Sequence, residues 1–132
     1  MQLPSEIFWL VLAAGYTMLL VAPYAINRIG RIGLARLLAK PLPGDDPFEQ
    51  EWAHRAYRAH MNAIENLVVF APLALAVIAT QSANEITALS CAVYFWARVV
   101  HAPVYILNIP YLRFFAWVVG MVACFVLIFQ LI

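Results

Sequence analysis

The chain has 132 residues, of which 65% are hydrophobic and 11% charged, a balance that excludes an ordinary soluble globular domain. Its net charge of +1 gives no overall basic character, and nucleic acid is not an expected partner. Two cysteines and three histidines set the upper bound on metal or disulfide chemistry.

A hydrocarbon core about 30 Å thick takes roughly 20 mainly apolar residues of helix. Four runs qualify, at 8–26, 63–80, 86–107 and 114–132. With their flanks they predict spans at about 6–27, 50–80, 85–107 and 111–132. The expected fold is an all-α integral membrane domain over 1–132, a four-transmembrane-helix antiparallel bundle with no separate soluble domain. No Lys or Arg precedes Phe8 and Glu6 lies there, whereas a secretory signal opens on a basic segment, so the first run reads as a retained span.

That span is expected to end near Asn27, where Arg28, Ile29, Gly30 and Arg31 begin a basic stretch suited to the headgroup level. Pro41, Pro43, Gly44 and Pro47 break any helix, so 40–47 reads as a loop. A helix starting just after it has Glu49 and Glu51 in its first turn, where carboxylates favour the dipole. Its start lies well before the apolar run, so its first turns project from the hydrocarbon and a polar stripe continues inward. Short turns at 81–84 and 108–110 make consecutive helices antiparallel neighbours.

Charge is distributed unevenly along this topology. Arg28, Arg31, Arg36, Lys40, Arg55 and Arg58 flank the first connection, and Arg98 and Arg113 flank the third. The other side carries only Glu6 and Glu85. The positive-inside rule predicts a cytoplasmic basic side and non-cytoplasmic termini. Cys91 and Cys124 fall inside apolar runs and read as small buried hydrophobes. His54 and His60, six residues apart, lie on different helix faces without a CxxC or HExxH pattern, so no metal site is expected.

Arg58, Asn62 and Glu65 are spaced by four and three residues on one face of the second helix, with His54 a turn earlier. Glu65 lies about 10 Å beyond Arg58 and is followed by an almost entirely apolar run. A charge at a span centre costs roughly 2.5–3.5 kcal/mol on translocon scales, so Glu65 should face protein or a wet cavity. Tyr94, Arg98, His101 and Tyr105 make a matching column on the third helix, and Arg113 begins the fourth near the same membrane face. The columns predict a crevice open to the basic side, suited to a small zwitterionic or anionic peptide-like ligand. Guanidinium groups grip carboxylates, while Glu and Asn take ammonium and amide groups. The bland alternative is that these residues pair among themselves, Arg58 with Glu65 for example, and fix topology at the interface. Two aligned columns weigh against it. Tyr94 and Trp117 fit packing or interfacial roles, and Pro103 a kink.

The segment 51–72, EWAHRAYRAHMNAIENLVVFAP, resembles the signature of the MAPEG family, the membrane-associated proteins in eicosanoid and glutathione metabolism. Arg58, Ala59, Asn62 and Glu65 fit its pattern, close to ERxxRAxxNxxE, in register. The segment ARVVHAPVY at 97–105, followed by Leu112 and Arg113, resembles the third-to-fourth helix region of that family. The resemblance covers the whole chain and implies a homotrimer binding glutathione between subunits near the cytoplasmic face. Under it Arg58, Asn62, Glu65, His101 and Tyr105 match glutathione-contacting positions, Arg98 joins them as an expected glutathione-site residue from its place in the crevice, and Arg113 matches the thiolate-stabilising catalytic arginine. Arg28 and Arg31 are both matches for a basic residue that reaches a neighbour's site. Phe114 and Trp117 stand where eicosanoid-type members have polar side chains, which points to a bacterial-type or divergent member. The implied function is a glutathione-dependent transferase or peroxidase acting on hydrophobic electrophiles or lipid hydroperoxides. A non-catalytic lipid-binding or scaffold protein of the same fold is the alternative, and a small proton-coupled transporter using Glu65 is a third possibility.

Overall fold

The computed structural model describes residues 3–39, 48 and 50–132; the expected loop at 40–47 and Glu49 lie outside them. The chain runs through α1 (Ser5–Leu19), α2 (Ala22–Ile32), α3 (Leu34–Ala39), α4 (Glu51–Ala79), α5 (Glu85–Ile106) and α6 (Pro110–Leu131). No strand occurs among the described residues. Four helical stretches are long and apolar enough to cross a membrane: Ser5–Ile32, Glu51–Ala79, Glu85–Ile106 and Pro110–Leu131. The protein is an all-α, four-helix integral membrane bundle.

The first crossing is jointed. Pro23 has no N–H for the Leu19 carbonyl, so the helix breaks at Leu20 and Val21 and resumes in α2 with proline in its first turn, where the missing donor is harmless. α2 continues beyond Asn27, where the apolar run alone places the end. It stops at Gly33, whose φ of +81° is readily open to glycine and whose N–H closes on the Ile29 carbonyl at 2.9 Å. In α3, Arg36 is exposed beside exposed Leu34 and Leu38, a mixture suited to the headgroup region.

α4 packs inward through Ala53, Ala56, Ala59 and Ala63, each at most 2% exposed, and their small side chains let neighbouring backbones approach. Further along, Phe70 stacks on Tyr94 of α5 with centroids 3.8 Å apart, in a core that includes Cys91, Cys124 and Leu127. Both cysteines are free and buried. At Gly120 of α6 an added Cβ would touch Ala97 at 3.8 Å and the Arg98 stem at 3.9 Å, so α5 and α6 pack closely there.

Backbone groups exposed by prolines and helix ends find partners across the bundle. Pro103 deprives the Val99 carbonyl of its helical donor, and the Tyr16 hydroxyl of α1 donates to it at 3.2 Å. Arg55 Nε donates to the Ile106 carbonyl at 2.8 Å, tying the start of α4 to the finish of α5. At the opposite end the Asn84 side chain accepts from the Ile86 and Thr87 N–H groups, and Thr87 Oγ1 accepts from the Asn84 N–H, a capping box. Asn84 also donates to Gln130 Oε1 of α6 at 2.9 Å, and the Thr87 hydroxyl donates to the buried Glu6 carboxyl at 2.6 Å.

Candidate functional site

The polar columns of α4 and α5 meet in the half of the bundle where α5 finishes. Arg98 Nη2 donates to Asn62 Oδ1 at 2.8 Å and to His101 Nδ1, one turn on, at 3.1 Å. Asn66, one turn further along α4, donates to the Asn62 carbonyl at 2.7 Å and to its side-chain oxygen at 3.3 Å. Arg98 is 3% exposed and His101 2%. Arg98 Nε and Nη1 have no hydrogen-bond partner, and no carboxylate pairs with Arg98 among the described residues.

Nearer the end of α5 the His101 ring lies against Tyr105, with centroids 5.6 Å apart. The Arg113 guanidinium also meets this ring: its Cζ is 4.6 Å from the Tyr105 ring centroid, a cation–π contact. The turn makes this contact possible. Asn108 adopts φ +58°, a left-handed conformation that asparagine tolerates, and Pro110 opens α6, so the chain reverses within a few residues and returns Arg113 to Tyr105. Asn62, His101, Tyr105, Pro110, Arg113, Phe114 and Trp117 line an open pocket of about 300 Å³. Its polar members suit a carboxylate, thiolate or other acceptor-rich group, and its proline and aromatic wall suits an apolar molecule beside it.

Of the sequence-predicted residues, the pocket gathers Asn62, His101, Tyr105 and Arg113. Arg98 stands behind it, hydrogen-bonded to two of its members. Arg58 and Glu65 are exposed on α4 and form no ion pair with each other among the described residues. Arg28 lies over the Phe48 ring at 4.4 Å, and Arg31 is exposed near the end of α2. His54 packs against Phe48 at a centroid distance of 6.3 Å and does not join the pocket. Pro110, Phe114 and Trp117 form pocket wall that sequence reasoning did not assign to the site. Trp117 had a usable signal, because it follows Arg113 by one helical turn.

A second concavity runs between α5 and α6. Leu89, Val93, Trp96, Val100, Leu112 and Phe115 line an apolar furrow of about 470 Å³. Comparison with protein families matches residues 7–132 to a model described as the MAPEG family. Comparison with curated proteins and with solved structures yields no match.

Proposed function

Because the match spans nearly all of it, this chain belongs to the MAPEG family, and we propose that it is a glutathione-dependent membrane transferase or peroxidase acting on hydrophobic electrophiles or lipid hydroperoxides. Membership ties it to membrane-bound glutathione or eicosanoid metabolism in general. The finer reading is carried by one observation: Arg113, Asn62, His101 and Tyr105 surround a single pocket whose remaining wall is Pro110, Phe114 and Trp117.

The residues present fit glutathione. A volume of about 300 Å³ stands at the bottom of the roughly 300–1,000 Å³ range of small-molecule sites, so one copy supplies part of a tripeptide site. Arg58 and Glu65, exposed on the flank of α4, supply a grip for a carboxylate and an ammonium where a neighbouring copy closes the cleft. This favours the homotrimer, with Arg28 or Arg31 as the basic residue reaching across. The basic residues around the site favour a cytoplasmic opening and non-cytoplasmic termini.

Glutathione, when bound, supplies a thiol that serves as nucleophile toward an electrophilic carbon or as reductant toward a peroxide. Arg113 holds a fixed cation at the pocket and favours the thiolate over the thiol, most strongly where water is scarce. Asn62, His101 and Tyr105 orient the peptide, and the aromatic wall admits an apolar acceptor from the lipid side. Titration of the detergent-purified protein with glutathione, followed by conjugation of a generic electrophile, tests the proposal. Saturable binding with turnover is expected; absence of both would remove it. The furrow between α5 and α6 favours a second reading, a non-catalytic lipid-binding scaffold, which predicts retained lipid without turnover.

A further inference from the structure

Arg98 is the most buried cation of the described helices, and its side-chain hydrogen bonds among the described residues go to two pocket residues, Asn62 and His101. We propose that Arg98 is a positioning residue that locks these two side chains with their remaining donors available to the pocket, and so commits the pocket to an anionic atom. The identity of that anion, a glutathione thiolate or carboxylate, rests on the function proposed above; the hydrogen-bond pattern does not.

A guanidinium has five N–H donors and no acceptor. Whatever it meets at hydrogen-bond distance must therefore accept. Nη2 has two hydrogens and two such partners, Asn62 Oδ1 at 2.8 Å and His101 Nδ1 at 3.1 Å. His101 Nδ1 accordingly carries no proton, and the neutral ring keeps its proton on Nε2. Asn62 Oδ1 takes a second donor from Asn66 at 3.3 Å, which fixes the amide's oxygen side and leaves its NH₂ for other partners. Both residues line the pocket, and Asn62 Nδ2 and His101 Nε2 have no hydrogen-bond partner among the described residues and are not among the buried unpaired atoms, which leaves both free to donate beside Arg113. The Tyr105 hydroxyl can turn either way.

The uncompensated charge points in the same direction. Arg98 Nε and Nη1 lack partners, and no carboxylate neutralises the group among the described residues. A cation at that depth is costly unless a nearby anion offsets it, and the low dielectric that raises the cost also strengthens its field at the pocket. A neutral amide in place of Arg98 would present either oxygen or nitrogen to His101 and so could not enforce one tautomer.

The test is nitrogen NMR of protein labelled with ¹⁵N-histidine in nanodiscs without glutathione, with His101 signals assigned by His101→Gln. The wild type is expected to show a bare Nδ1 and a protonated Nε2. Arg98→Gln should mix the two tautomers and weaken glutathione binding about tenfold, while Arg98→Lys, which has donors only, should retain the bare Nδ1. A proton on Nδ1 in the wild type would overturn the proposal whatever the variants do. An Arg98→Gln protein with unchanged tautomer and affinity would overturn it as well. A wild type with the expected tautomer but no affinity for glutathione would instead remove the proposed function and leave the positioning role standing.

Discussion

Polar groups are buried in both halves of the bundle, and the two halves finish them differently. Where α5 begins, buried Glu6 and Thr87 are linked to exposed Asn84 and half-buried Gln130, and the capping box, the Thr87–Glu6 bond at 2.6 Å and the Asn84–Gln130 bond at 2.9 Å join α1, α5 and α6. Where α5 finishes, Arg98 keeps unpartnered donors, Arg58 and Glu65 stand exposed on a span, and four polar side chains open onto a pocket. Polar groups that satisfy one another within a low-dielectric bundle hold helices in register. Groups with spare donors lose that stabilisation and gain it back when a ligand of opposite character binds. On the proposed function, the first half serves cohesion and the second serves binding.

Substitutions that act on one half and spare the other sharpen this contrast. The largest effect is expected from Arg113→Ala, which should lower the turnover of a glutathione conjugation assay by roughly 100-fold, the scale of losing one positioned electrostatic donor, with a smaller change in glutathione affinity. Glu65→Gln should weaken glutathione binding by about 1.5–3 kcal/mol in calorimetric titration and leave thermal unfolding unchanged, because Glu65 has no internal partner among the described residues. Thr87→Val should do the reverse. Removing the hydroxyl beside the buried Glu6 carboxyl should destabilise the detergent-solubilised protein by about 1–3 kcal/mol with glutathione affinity intact. A loss of affinity in that variant would break the division between the halves. The smallest effect belongs to Tyr16→Phe, about 1 kcal/mol of stability, and it should shrink in a Pro103→Ala background, where the Val99 carbonyl regains its helical donor.

The sequence made the four crossings legible because a hydrocarbon core demands long apolar runs, and it made the two columns legible because steps of three and four residues fix a helix face. Periodicity does not say how deep each member of a face is buried. Arg98 and His101 share a face of α5, yet Arg98 turns to Asn62 behind the pocket while His101 lines it. Arg58 and Glu65 were legible as a column but not as exposed side chains, since exposure depends on which helices of one copy cover α4. The first helical stretch outlasts its apolar run, because Asn27 and Arg28 end the run while the helical hydrogen bonds continue to Gly33. The Arg113–Tyr105 contact depends on the left-handed Asn108 in a short turn, a backbone choice that no apolar pattern encodes.

The most direct test of the proposed site is the ultraviolet absorbance of the glutathione thiolate, followed against pH with the protein in excess. Bound to the wild type, the thiol should ionise below the value of about 8.5 typical of a free thiol, and Arg113→Ala should move the titration back upward. A wild-type curve at the solution value, or an Arg113→Ala protein that binds glutathione and reproduces the wild-type curve, would contradict an arginine-stabilised thiolate in this pocket.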